Sequence, residues 1–177
     1  MTQGQRGFTL YQLAVTLLLI AIIAGLGLPS FGGLVARSRI HTEINALFHA
    51  IHLARNESIM RRRVVSLCPS RDGRSCTPGR DWSSGWILFA NRDRDEPPRI
   101  DPDEPVLWVH GIAPGIRVTA NRLGFTLRMT QLRATNGTFV VCDEAGRVPP
   151  RALVVSYTGR PRVAMETPRG EPYSCPD

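Results

Sequence analysis

The first thirty residues constrain the fold of this chain more than any other part of it. A short polar leader ends at Gly7, and an apolar run without a charged side chain follows from Phe8 to Leu28. A helix needs about 20 apolar residues to cross the hydrocarbon core of a bilayer. The run therefore predicts a transmembrane helix, and Arg6 on the leader side favours a cytoplasmic N-terminus.

The order of these segments differs from that of an ordinary secretory signal, in which the cleavage site follows the apolar core. Here a G-F-T-L junction at Gly7 precedes the core. This start resembles the class III signal of type IV pilins and type II secretion pseudopilins. The resemblance implies that a prepilin peptidase cuts between Gly7 and Phe8, that Phe8 is then methylated, and that the retained helix packs with other pilins. A plain single-pass anchor is the alternative.

Gln12 departs from this resemblance. The family usually has glutamate at this position, and that glutamate is thought to pair with the N-terminal amine of a neighbouring subunit. Gln12 keeps the size and the hydrogen-bonding oxygen of glutamate without its charge. It indicates either a subunit at the filament tip, with no subunit beyond it, or a tolerated neutral residue in a rarely incorporated subunit. The second interpretation is favoured.

Beyond Pro29 the apolar pattern becomes that of an amphipathic helix. Apolar or small residues recur at alternating spacings of four and three, which places them on one helical face. This stripe should pack on a sheet, and the helix should end around Arg61 to Arg63, where positive charge complements a helix C-terminus. The stripe consists of Ile40, Ile44, Leu47, Ile51, Ala54 and Ser58.

After Arg63 the pattern changes to short β-rich runs separated by Gly, Pro and Asn-Gly, which is typical of antiparallel hairpins. The predicted strands are Val64–Cys68, Trp86–Ala90, Val106–His110, Ile116–Thr119, Phe125–Met129, Thr138–Cys142, Leu153–Tyr157 and Val163–Met165.

The predicted fold class is α+β and pilin-like: a long N-terminal α-helix, first transmembrane and then amphipathic, packed on a β-rich antiparallel head with a C-terminal tail held by a disulfide. The predicted segments are a leader peptide at 1–7, a transmembrane helix at 8–30, its amphipathic continuation at 31–63 and a periplasmic head at 64–177.

The head contains four cysteines, and in an oxidising compartment an even number of cysteines predicts disulfides. Of the three pairings, the nearest-neighbour one is favoured, with Cys68 bonded to Cys76 and Cys142 to Cys175. Loop-closure entropy gives each bond about 2.5 to 4 kcal/mol, with the larger value for the longer loop. A zinc site is disfavoured because the sequence has no C-x-x-C spacing and no histidine interleaved with the cysteines.

The net charge of +7 is unevenly distributed, and every basic residue is arginine. In residues 66–104 eight acidic residues exceed six arginines, whereas residues 105–165 hold eight arginines against Asp143 and Glu144. The second half of the head is therefore basic, and basic surfaces attract polyanions.

Motifs spread along the chain narrow the resemblance. They are A-R-N-E-S-I at 54–59, S-L-C-P-S at 66–70, D-W-S-S-G-W-I-L-F at 81–89, G-F-T-L at 124–127, G-T-F-V-V-C-D at 137–143 and V-V-S-Y-T-G-R-P-R at 154–162. Together they resemble the GspH/FimT family of minor pilins and pseudopilins. The G-R-x-R of Gly159 to Arg162 is similar to the FimT branch, whose members bind DNA at the pilus in natural transformation.

The resemblance makes Arg160 and Arg162 the candidate DNA contacts, together with Gly159 of the same motif and Arg169 in the following tail. A guanidinium can donate two hydrogen bonds to phosphate oxygens without reading a base. Pro161 between them has no backbone donor and stiffens the segment. The alternative is that these arginines are solvated residues that protect the edge of a strand.

No motif for nucleophilic, metal-dependent or nucleotide-dependent catalysis is present, and neither an enzyme activity nor a cofactor or metal is predicted. The sequence predicts an inner-membrane minor type IV pilin that enters the pilus and binds DNA non-specifically in natural transformation. The alternative is a structural minor pilin, or a GspH-like pseudopilin of type II secretion, that primes filament assembly without binding DNA.

Overall fold

The computed structural model describes residues 9–129 and 134–175. Within them one helix leads into eight strands. The helix α1 spans Leu10–Arg61 and is continuous through Pro29. The strands are β1 (Val64–Pro69), β2 (Trp86–Asn91), β3 (Val106–His110), β4 (Ile116–Ala120), β5 (Phe125–Leu127), β6 (Gly137–Asp143), β7 (Arg151–Val155) and β8 (Pro161–Ala164).

Local hydrogen bonds define both ends of α1. At its start the Gln12 N–H donates to the Thr9 hydroxyl (3.3 Å) and the Thr9 N–H donates to Gln12 Oε1 (3.1 Å), which forms a capping box. At its end Arg62 takes up a left-handed conformation (φ 52°), and its N–H donates to the Ile59 carbonyl (3.3 Å). The helix therefore ends at Arg61, within the predicted range.

The predicted stripe of α1 is the face that packs on the head. All six of its residues are at most 2% exposed. The stripe contacts strands of both sheets, so α1 closes one side of a shared core. Burying such a stripe is what stabilises a helix of this kind in a protein.

The eight strands form two antiparallel sheets of four. The first has the order β3-β2-β1-β5 and the second β4-β6-β7-β8. The predicted strands are all present, but β5 is shorter than predicted, β7 begins and ends two residues earlier, and β8 begins at Pro161. The fold class is as predicted.

The core between α1 and the sheets is aromatic. The rings of Phe125 and Phe139 are stacked with centroids 4.2 Å apart, and Trp82 lies edge-on to Phe139 at 5.0 Å. All three side chains are fully buried. These side chains join the two sheets, because Phe125 belongs to β5 and Phe139 to β6.

A buried carboxylate on α1 holds the end of β3 and the segment that follows it. Glu43 is 2% exposed, and its Oε2 lies 2.9 Å from His110 Nε2 while its Oε1 accepts the Ala113 N–H at 3.0 Å. One turn earlier on α1, Arg39 Nη1 donates to the Pro114 carbonyl (3.0 Å). The segment after β3 is thus fixed to the helix by two neighbouring side chains.

Both disulfides have the nearest-neighbour pairing. Cys68 is bonded to Cys76 and Cys142 to Cys175, with Cα–Cα distances of 5.5 and 6.0 Å. The second bond anchors the C-terminal tail to β6, and by loop entropy it contributes about 3.7 kcal/mol.

The first part of α1 projects beyond the head and leaves large apolar side chains exposed. Leu10 is 86% exposed, Tyr11 77% and Ile23 70%. Counting only the described residues, the protein contains no helix with the length and apolar character needed to cross a membrane.

Candidate functional site

The G-R-P-R motif forms the turn between β7 and β8 and the start of β8. The Ser156 N–H donates to the Arg160 carbonyl (3.0 Å), and the Gly159 N–H donates to the Ser156 carbonyl (2.8 Å). Gly159 has a φ of +71°, the left-handed conformation that a three-residue hairpin loop requires. The predicted strand Leu153–Tyr157 was therefore wrong at its C-terminal end, because Ser156 already belongs to the turn.

Gly159 is buried under the turn rather than presented to solvent. A Cβ at this position would lie 2.9 Å from Leu127 Cδ1, 3.2 Å from Ala134 Cβ and 3.1 Å from Arg55 Nη1. Arg55 itself donates from Nη1 to the Thr158 carbonyl, which links α1 to the turn. Gly159 thus positions the two arginines and offers no side chain for a ligand.

Arg160 and Arg162 are exposed at the free edge of the second sheet. Arg162 pairs with Val154, whereas the neighbouring β7 residues Leu153 and Val155 are buried in the core. Because side chains alternate along a strand, Arg162 lies on the sheet face that points away from α1. Neither arginine side chain has a hydrogen-bond or ion-pair partner within the described residues.

Arg169 lies in a separate hairpin of the tail. The Thr167 N–H donates to the Glu171 carbonyl (2.7 Å), and the Gly170 N–H donates to the Thr167 carbonyl (3.0 Å). Arg169 is exposed at the turn of this hairpin. The tail is held by Cys175, so its arginine is presented from a second loop rather than from the β7–β8 turn.

Other arginines are engaged by the protein itself and are less suited to bind a ligand. They donate side-chain hydrogen bonds to backbone carbonyls, carboxylates or an amide oxygen. They are Arg39, Arg55, Arg61, Arg92, Arg122, Arg128 and Arg147.

The motif lies at the end of the head farthest from the apolar half of α1. Arg55 reaches the β7–β8 turn, whereas Arg39 contacts the Pro114 carbonyl at the other end. Arg55 is sixteen positions after Arg39, which corresponds to about 24 Å along the helix. Arg160 and Arg162 are therefore available to a ligand beyond the end of the head.

Asp143 and Arg147 form an ion pair at the opposite end of the second sheet. Arg147 donates to Asp143 from Nη2 (2.6 Å), Nε (2.9 Å) and its backbone N–H (2.9 Å), and the Asp143 side chain is fully buried. These hydrogen bonds outweigh the burial of the carboxyl and lower the pKa of Asp143. A lowered pKa makes this pair a source of stability that depends on pH.

Replacing Asp143 by asparagine should therefore destabilise the protein by about 1.5 kcal/mol at pH 7. The native pKa is below the unfolded value of about 3.9, so the contribution is complete above that value and is lost as the pH falls through the native pKa. In unfolding titrations of both proteins from pH 7 downwards, the difference between them should be constant above about pH 4 and should shrink as the pH falls further. Glu144→Gln, an exposed neighbour, is the control and should follow the native protein; a pH-independent difference for Asp143→Asn would contradict this account.

The remaining predicted site residues lie at the start of the chain. Gly7 and Phe8 are outside the described residues. Gln12 is the third residue of the capping box whose N-cap is Thr9, and its Oε1 accepts the Thr9 N–H. The sequence signal for this role is the T-x-x-Q spacing of Thr9 and Gln12, which is a capping-box pattern.

Two residues of the site, Arg55 and Tyr157, were not predicted from the sequence. Arg55 holds the turn from α1, and Tyr157 stands at the second position of the turn with 54% of its surface exposed. Arg55 is 103 residues away from Thr158 in sequence, so local patterns carry no sign of the contact. Tyr157 could have been recognised from the sequence, because it is an aromatic residue beside the G-R-x-R motif.

A long helix that packs on antiparallel sheets and exposes apolar side chains near its start defines a pilin-like protein. The family model described as type II transport protein GspH matches residues 43–159. This match covers more than half of the chain, and the chain belongs to the GspH family of minor pilins and pseudopilins. Members of this family are associated with pili and assemble with other pilins in a filament.

Two solved structures with a similar fold are crystal forms of the type IV minor pilin FimU of Pseudomonas aeruginosa. One is 20% identical, covers 72% of this chain and 91% of FimU, and has a TM-score of 0.50. The other is 19% identical, covers 78% and 96%, and has a TM-score of 0.54. No curated protein matches the chain.

Proposed function

We propose that this chain is a minor type IV pilin of the FimT branch that binds DNA without sequence preference during natural transformation. The observation that carries the proposal is the pair Arg160 and Arg162, exposed and unpartnered at the far end of the head. Two such guanidinium groups, one on the turn and one on the strand β8 that follows it, can each bind phosphate oxygens. Arg169 in the neighbouring tail supplies a third charge.

The rigidity of the turn supports a binding role. The Arg160 N–H donates to the Ser156 hydroxyl (3.1 Å), and that hydroxyl lies 2.8 Å from the Thr158 hydroxyl. With Arg55 bound to the Thr158 carbonyl, the backbone before Arg160 is fixed before any ligand arrives. A preformed site loses less conformational entropy on binding.

The exposed apolar residues of α1 support storage in the inner membrane before assembly. We propose that a prepilin peptidase cuts after Gly7, that Phe8 becomes the methylated N-terminus, and that the exposed face of α1 contacts lipid and later other pilins. The same helix would place the head in the periplasm. In this role the chain is a non-enzymatic subunit without a cofactor.

The filament role can be tested by fractionating cells that express the chain. We expect the mature protein to begin at methylated Phe8 and to occur in the inner membrane and in sheared pili. Gly7→Val should block cleavage and incorporation, whereas Gly4→Ala, a glycine change within the leader, should have no effect. An uncut native chain in the soluble fraction would contradict the proposal.

The GspH match favours a second candidate, a structural minor pilin or type II secretion pseudopilin that primes assembly. This candidate has the same helix, the same processing and the same assembly into a filament as the DNA-binding pilin. It differs only in the role of the exposed arginines, because it predicts that the native protein does not bind DNA at low salt.

A further inference from the structure

We infer that Tyr157 stacks on an unpaired nucleobase next to the phosphates held by Arg160, so that the DNA ligand includes single-stranded segments. This inference rests on the proposed DNA binding and adds to it the kind of DNA that is preferred. Arginine–phosphate contacts alone do not distinguish single strands from duplexes. A residue that stacks on a base does distinguish single strands from duplexes, because it needs the free face of an unpaired base.

Tyr157 is set apart from the other aromatic residues of the head. It is 54% exposed, whereas the described tryptophan and phenylalanine residues of the head are buried or half-buried. Tyr173 is half-buried in the tail. Among the described residues the Tyr157 side chain has no hydrogen-bond partner and no ring contact.

The backbone that carries Tyr157 is fixed. Its carbonyl accepts the Ala134 N–H at 3.1 Å, and the next residue, Thr158, is held by Arg55. The ring is thus presented by a rigid turn rather than by a mobile loop. An exposed aromatic ring on such a support can stack on a base with little ordering of the protein.

Tyr157 and Arg160 are presented by the same turn. The two residues are three positions apart in the turn, which is closed by a hydrogen bond from the Ser156 N–H and by hydrogen bonds from the Gly159 and Arg160 N–H groups to Ser156. Single-stranded binding sites combine a positive charge for the backbone with an aromatic ring for the base, and stacking tolerates every base. In a duplex the bases are already stacked, and exposing one costs a few kcal/mol.

The test compares one labelled strand of about 12 nucleotides with the same strand annealed to its complement, using the full chain in a neutral detergent at low salt. Tyr157→Ala should weaken binding to the single strand about tenfold and change binding to the duplex less than about twofold. Tyr157→Phe should retain the native affinity, because it keeps the ring. Tyr173→Ala is the control tyrosine and should bind both forms like the native protein.

The outcomes separate this inference from the proposed function. Unchanged single-strand binding by Tyr157→Ala, or equal losses for both forms, overturns the stacking role while duplex binding through the arginines stands. Loss of affinity in Tyr157→Phe overturns it as well, because the ring would then not be what binds. Native protein that binds neither form overturns both the inference and the proposed function.

Discussion

Replacing Gly159 by alanine is expected to lower the free energy of unfolding by about 3 kcal/mol. Part of this loss is the strain of a side chain at a φ of +71°, which costs about 1 to 2 kcal/mol. The rest arises because the new Cβ would lie 2.9 Å from Leu127 Cδ1 and 3.2 Å from Ala134 Cβ. Chemical denaturation followed by the fluorescence of the buried residues Trp82 and Trp86 would measure it.

Gly146 provides a matched control for this prediction. Its φ is +65°, but a Cβ there would meet nothing within 4 Å. Gly146→Ala therefore carries the backbone strain without the packing clash and should cost only about 1 kcal/mol. Equal losses for the two variants would show that Gly159 is required for its conformation alone and that the turn is not packed against the core.

The second large effect is expected in DNA binding. Arg160→Ala/Arg162→Ala should weaken binding of a random-sequence duplex about 30-fold at low salt, since each lost contact is worth about 1 kcal/mol. The fold should be unaffected, because both side chains are exposed and make no contact that stabilises the head. Fluorescence anisotropy of a labelled duplex, titrated with the full chain in a neutral detergent, would measure the change.

The matched control removes the same charge from another part of the head. Arg71 and Arg74 are exposed in the loop that the Cys68–Cys76 disulfide closes, at the opposite end of β1 from α1's C-terminus. Arg71→Ala/Arg74→Ala also lowers the net charge from +7 to +5. It should weaken binding less than about threefold, and a loss similar to that of the first pair would indicate attraction by net charge rather than a site.

The sequence was sufficient for the features that repeat locally. Ile40 and the other members of the α1 stripe are recognised by spacing, and every one of them is buried. The strand runs are recognised by composition and by the Gly and Pro residues between them. The division into two sheets was not predicted, because strand order depends on contacts such as β1 with β5 that join residues far apart in the chain.

The turn that carries the candidate site shows where local patterns fail. Residues 153–157 have the composition of a strand, but Gly159 and the Arg55 contact from α1 set the turn two residues earlier. Pro161 then fits into β8 because this strand lies at the edge of its sheet, where fewer backbone donors are needed. The motif residues were identified correctly as a segment, whereas the buried role of Gly159 required the three-dimensional packing.

Gln12 gains a local explanation from the structure. Its side chain accepts the Thr9 N–H, so the residue stabilises the start of α1 within its own chain. This role needs a hydrogen-bonding oxygen but no charge, and it is compatible with the favoured interpretation of a tolerated neutral residue. The stabilisation is about 1 kcal/mol or less, as for other helix caps.

The most direct test of the proposed function is the salt dependence of DNA binding by the native full chain. Each neutralised phosphate contributes about 0.9 to the slope of log K against log salt concentration, so contacts from Arg160, Arg162 and Arg169 predict a slope of about −2 to −3. In Arg160→Ala/Arg162→Ala the magnitude of the slope should fall by about 2. No binding at about 50 mM salt, or the same slope in both proteins, would contradict the assignment of DNA binding to this turn.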